Sequence, residues 1–88
     1  MDDKEFLVTV EKVRGSCRCS FKEGDKFSFR GVKTIEGFCG GAYLVIFPLM
    51  TALGFGARFN FNKNPAEMKG LACPSDAKVI FSIADVSE

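Results

Sequence analysis

Four cysteines and no histidine define the chemistry open to this chain of 88 residues. Cys17 and Cys19 form a C-x-C pair; 19 residues separate Cys19 from Cys39, and 33 separate Cys39 from Cys73. Each cysteine has Gly, Ser or Pro close by: Ser16 and Ser20 flank the pair, Gly40 and Gly41 follow Cys39, and Pro74 follows Cys73. Cysteines that merely fill a core sit among apolar residues inside strands and helices. In an extended segment the i and i+2 side chains point the same way, so Cys17 and Cys19 can reach one ion. Cys39 stands where a helix should begin, and the positive end of a helix stabilises a thiolate. Cys73-Pro74 resembles the Cys-Pro steps found beside metal clusters.

Four thiolates, Cys17, Cys19, Cys39 and Cys73, could hold zinc tetrahedrally, or iron or an iron–sulfur cluster. The spacing departs from the paired C-x₂-C knuckles of zinc modules, because there is one close pair and it is a residue tighter. Two other readings stand beside this one. The thiols could form a metal-free redox site, with Cys39 as the reactive thiolate and Cys73 or Cys17 resolving it. They could also be inert bystanders in an interaction module.

The lack of histidine excludes Cys–His and Ser–His–Asp catalysis within the chain. Gly37, Gly40 and Gly41 are not followed by Gly-Lys-Ser/Thr, so no phosphate-binding loop is present, and no dinucleotide fingerprint is either. An enzyme is therefore not the leading expectation. Net charge is +1, which gives the whole chain no pull on polyanions. From Lys12 to Lys33 seven bases face two acids, a local excess of +5 interleaved with Phe21, Phe27 and Phe29. Such a pattern can bind nucleic acid. Alternating Phe facing a core, with Lys and Arg in water on the other side, accounts for it better.

Several elements must position the cysteines. "EFLVTVEKV" alternates, with Phe6, Val8 and Val10 on one face and Val13 out of step, which predicts a strand. Glu23-Gly24-Asp25 predicts a turn, with Asp25 as its turn residue. "KFSFRGV" predicts a second strand with Phe27 and Phe29 on one side, ended by Gly31. Over about 41–53 a helix is expected. Ala42, Val45, Ile46, Leu49 and Leu53 mark one face, and Tyr43, Phe47 and Met50 a second apolar stripe. Pro48 should kink or divide it, and Gly54 should cap it. Phe59 and Phe61 suggest a short strand, Asn62 to Pro65 a turn, and Met68 to Cys73 another strand. "CPSD" reads as a turn in which Asp76 is a cap. "KVIFSIADV" predicts the last strand, with Val79, Phe81 and Ile83 on one face.

This order points to one small α+β domain over 1–88, with residues 1–4 as a frayed tail. A small antiparallel sheet would pack on one central, Pro-kinked apolar helix. Ten phenylalanines and no tryptophan make Phe the main core material. A helix apolar nearly all round needs cover on more than one side. That suggests a homo-oligomer through Tyr43, Phe47 and Met50. No secretory leader is visible, and the apolar run from Ala42 to Leu53 is shorter than the roughly 20 residues a membrane span needs. The expectation is a cytoplasmic protein without a membrane segment, in a compartment where cysteines serve metal or redox chemistry.

The ordered pattern G-x-C, F-x-x-G-D-x-F, E-G-F-C-x-x-A-Y, P-x-x-x-A-L-x-F-G, C-P-x-D and V-I-F-x-I resembles a family of short, uncharacterised prokaryotic proteins found mainly in anaerobes. It runs from Gly15 and Cys17 through Gly24, Asp25, Cys39, Tyr43, Pro48 and Gly56 to Cys73, Pro74, Asp76 and Ile83. The resemblance implies no activity. It does imply that Cys17, Cys39 and Cys73 belong to a shared pattern. Some relatives carry histidine at the position of Phe21; Cys19, particular to this chain, would replace it as fourth ligand, and the alternative is a set of three thiolates.

Overall fold

The computed structural model describes residues 4–15, 21–31, 35–58, 63–74 and 78–86. The elements follow in the order β1 (Glu5–Val13), β2 (Lys26–Arg30), α1 (Gly40–Gly54), β3 (Glu67–Ala72) and β4 (Val79–Asp85). The sheet is fully antiparallel, with strand order β2-β1-β4-β3. This is the expected α+β architecture. The short strand anticipated at Phe59 and Phe61, and Asp76 of the "CPSD" turn, lie outside the described residues.

Alternation sets the two faces. Phe6, Val8 and Val10 of β1 are fully buried, as are Val79, Phe81 and Ile83 of β4 and Phe29 of β2. Cross-strand register joins them, with Val8 opposite both Phe27 and Ile83. The irregular position of Val13 has a local cause. The pairing with β4 slips between Val10 and Lys12, a bulge that leaves Glu11 as the extra residue. Its carboxylate accepts a 2.8 Å hydrogen bond from the hydroxyl of the buried Ser82. The turn before β2 is held by its own aspartate. Asp25 accepts from the Lys22 N–H at 2.9 Å, and Gly24 supplies the left-handed backbone at φ 91°.

Helix α1 carries the chain from the β2 edge to the β3 edge, and packs on β3 and β4. It buries Ala42, Ile46, Met50 and Leu53. Pro48 does not divide it, since the helix runs unbroken for 15 residues with Pro48 on the exposed side. The cap lies two residues beyond Gly54. Gly56 takes φ 102°; its N–H bonds the Leu53 carbonyl at 3.1 Å and the Ala57 N–H bonds Ala52 at 3.0 Å, forming a Schellman motif. Met50, expected on a partner-facing stripe, is 0% exposed and belongs to the core. The outward large residues are Leu44 and Phe55.

The helix leaves the β1–β2 half of the sheet to aromatic rings. Phe38, just before α1, packs against Phe21, Phe27, Phe29, Phe81 and Tyr43, with ring centroids 5.0 to 6.5 Å apart. Tyr43 continues the stack between Phe29 and Phe47. Lys4, in the tail read as frayed, has its carbonyl bonded by the Gly31 N–H at 2.9 Å. No helix among the described residues is long and apolar enough to cross a membrane.

Candidate functional site

Cys39 is the N-cap of α1, in extended backbone at φ −65° and ψ 122°. Its carbonyl accepts the Tyr43 N–H at 3.0 Å, which fixes the first turn. Its side chain makes no capping bond to the N–H groups above it. The sulfur is half-buried beside the positive end of the helix dipole.

Gly41 creates the contact that matters here. A Cβ on Gly41 would sit 3.3 Å from Cγ of Pro74 and 3.9 Å from Sγ of Cys39. Both atoms thus lie within 4 Å of one point, and any larger residue at 41 would have to push between them. The missing side chain lets the Cys73-Pro74 step approach the helix start.

Cys73 directly follows β3 and is also half-buried. Its N–H bonds the Val79 carbonyl at 2.9 Å, and its sulfur accepts the Val79 N–H at 3.4 Å. One residue of β4 therefore holds both the backbone and the side chain of Cys73. No disulfide joins Cys39 and Cys73.

Cys17 and Cys19 lie outside the described residues, but the positions on either side of them are clear. Before them, the Arg14 N–H bonds the Lys78 carbonyl, next to Val79 and so to the Cys73 hairpin. After them, Phe21 packs on Phe38, the neighbour of Cys39, at 5.3 Å. Among the described residues no three His, Cys, Asp or Glu side chains cluster as metal ligands.

Tyr43, one helical turn beyond Cys39, has its hydroxyl pKa raised above the ordinary 10.0 by burial among the rings. Two features of the site were not anticipated from the residues. The Val79 N–H to the Cys73 sulfur depends on hairpin register and has no residue-type signature. The opposite end of the helix is fixed by an ion pair between Arg58 and Asp85 at 3.3 Å, residues 27 apart in sequence.

No protein-family model matches the chain, and neither does any curated protein or solved structure.

Proposed function

We propose that this chain is a cysteine-site protein: an accessory or electron-transfer module whose thiolates hold a soft metal ion or an iron–sulfur centre, without turnover of its own. The supporting observation is the approach of Cys39 and the Cys73-Pro74 step at the start of α1, across Gly41. Donor chemistry fits. Thiolates without imidazole or clustered carboxylates suit zinc and iron–sulfur centres over hard cations. Ligand sulfurs are tuned by N–H donors, and the sulfur of Cys73 accepts one from Val79.

Cys39 and Cys73 supply two donors. Cys17 and Cys19 are proposed as the others. In sequence they fall between Arg14, whose N–H bonds Lys78, and Phe21, which packs on Phe38. A bound centre would cross-link the start of α1 and the end of β3 and, if iron-based, supply one-electron chemistry. We further propose a cytoplasmic setting, membership of the anaerobe-associated family whose pattern it resembles, and self-association.

A second reading rests on the same approach. Cys39 thiolate attacks a partner disulfide, forming a mixed disulfide and releasing one partner thiol. Cys73 then displaces the second, leaving a Cys39–Cys73 disulfide and a reduced partner.

Metal analysis of anaerobically purified protein separates the two. About one zinc per chain, or a sulfur-to-iron charge-transfer band, that is lost in both Cys39→Ser and Cys73→Ser is the expected result. Metal-free protein with thiols that form a Cys39–Cys73 disulfide on incubation with oxidised glutathione would favour the second reading. Metal-free protein whose thiols do not pair would sink both.

A further inference from the structure

We infer that the end of the molecule carrying Cys39 and Cys73 is a cationic landing surface for an acidic protein, with Arg14, Lys22 and Lys78 set around the thiols. The inference rests on the cysteine site proposed above and names the kind of partner that site meets.

The sheet places these cations. Val13 pairs with Val79, and the Cys73 N–H bonds the Val79 carbonyl at 2.9 Å, so the three residues form one row. One residue beyond that row, the Arg14 N–H bonds the Lys78 carbonyl at 2.6 Å, and Pro74 follows Cys73. Pro74 is the residue that approaches Gly41 beside Cys39. Lys22 follows Phe21, whose ring lies 5.3 Å from that of Phe38, the neighbour of Cys39. Lys12 and Lys26 stand further in along the sheet, opposite Ile80 and Thr9.

Ion pairing divides the molecule. Lys4 and Arg58 meet Asp85, Arg30 meets Glu5, and Lys69 meets Glu67. Those three acids stand at the end of β4, the start of β1 and the start of β3, all at the far end of the sheet. At the cysteine end, Lys12, Arg14, Lys22, Lys26 and Lys78 pair with no carboxylate among the described residues. The acids there are turned to the chain's own donors. Glu11 accepts from Ser82, Glu23 from the Val13 N–H at 3.1 Å, and Asp25 from the Lys22 N–H at 2.9 Å. Glu36 is the remaining acid, and it is exposed. Lys12, Arg14, Lys22 and Lys26 are exposed as well. A group of unneutralised cations attracts anionic surfaces and raises their rate of encounter.

Chemistry selects the occupant. A thiol, or a centre held by thiolates, exchanges disulfide bonds or electrons, so its counterpart must carry a disulfide or a redox group. Lipid and nucleic acid carry neither. Nucleic acid also needs open rings for its bases to stack on. Here Phe21 and Phe29 are buried, and Phe27 and Phe38 pack against them. The cations span the β2 side, β1 and β4, about 10 Å between backbones before the side chains extend. That is wider than a single carboxylate. Redox encounters are small interfaces, in which charge supplies approach and orientation more than area supplies affinity.

The test uses Glu-rich, Ser-rich and Lys-rich peptides, each with one cysteine held as a disulfide to nitrothiobenzoate. Attack by a protein thiolate on the peptide sulfur forms a mixed disulfide and releases nitrothiobenzoate. Rates are read at Cys39 and Cys73 by mass spectrometry, on the reduced full chain treated with chelator. At about 0.02 M salt the Glu-rich peptide should react at least about fivefold faster than the Ser-rich one, and the Lys-rich one slowest. At about 0.5 M salt the ratio should approach one. Replacing Arg14, Lys22 and Lys78 together by Gln should bring it below about twofold, and each single replacement should lower it in part. Lys63→Gln, which removes an exposed cation near the start of β3, should leave it intact. Equal rates for the Glu-rich and Lys-rich peptides overturn the inference. So does a preference that survives the triple replacement, or thiols inert to all three peptides. An oligonucleotide or an anionic vesicle that binds through Arg14 more tightly than the Glu-rich peptide makes nucleic acid or lipid the occupant and overturns it too. A full preference in protein that neither holds metal nor pairs Cys39 with Cys73 supports the surface and removes the cysteine reading alone.

Discussion

Arg58 reaches Asp85 with Nη2 3.3 Å from Oδ2, and the Asp85 side chain is only 2% exposed. Asp85 faces the core because it pairs with Phe6 in the sheet. Lys4 approaches the same oxygen at 3.9 Å. Arg58 also donates to the carbonyls of Leu53 and Ala57 at 3.2 and 2.7 Å, so one guanidinium ties the end of α1 to the end of β4. Removing it takes the nearer of two cations from a buried carboxylate and leaves Lys4 at 3.9 Å. Arg58→Met should cost about 1 to 2 kcal/mol in urea denaturation, less than the loss of a sole buried partner. The Arg58→Met, Asp85→Asn double variant should lose clearly less than the two single losses combined, since neither charge then lacks its partner. Additive losses would mean that the pair is not coupled.

The opposite end depends on a missing side chain. Gly41→Ala should change stability by less than about 1 kcal/mol, because its gain in helix propensity offsets a 3.3 Å contact with Pro74. Gly41→Val gains less helix propensity and brings two more methyl groups to the same contact. It should cost about 1 to 3 kcal/mol and alter the alkylation rate of Cys39, read by mass spectrometry on folded protein. An unchanged rate would show that the Cys73-Pro74 step does not control access to Cys39.

Phe38 does the work of a second helix. Replacing it with Ala removes the ring that links Phe21, Phe27, Phe29 and Phe81, and should cost about 2 to 3 kcal/mol by thermal or urea unfolding. Phe38→Leu should recover most of that. A loss below about 0.5 kcal/mol would place the cover of the β1–β2 half elsewhere.

Tyr43 is the sole tyrosine and there is no tryptophan, so absorbance near 295 nm reports it alone. Its raised pKa means that the folded state holds the phenolic proton more tightly than the unfolded chain. The corresponding stability is complete below the ordinary 10.0 and is lost as pH rises through the folded value. Alkaline titration should show ionisation above 10.0 in folded protein and at 10.0 in urea. Tyr43→Phe should remove this part of the alkaline loss.

Much of the frame was legible in the residues. The alternation of Val79, Phe81 and Ile83, the turn at Gly24-Asp25 and the helix beginning after Cys39 all carry strong local patterns. Which side of α1 faces water was not legible. A helix apolar all round has no periodic contrast, and so Met50 was read outward and Leu44 overlooked. The cap at Gly56 was missed because two glycines, Gly54 and Gly56, compete as stops in "LGFGA", and only backbone angle separates them. Asp85 did have a signal. It continues the buried series 79, 81, 83, but an acid near a chain end reads as solvated unless its counter-ion, 27 residues away, is known.

The bulge at Glu11 and its bond to Ser82 join segments 71 residues apart in sequence, at the middle of the sheet. Strand pairing of that reach closes a very large loop, and such closure slows folding. On the ribosome β1 therefore waits, flanked on one side only, until the last strand has been made. Until then its free edge is the one most exposed to pairing with the wrong neighbour, and chaperone demand during synthesis should track the time to complete β4.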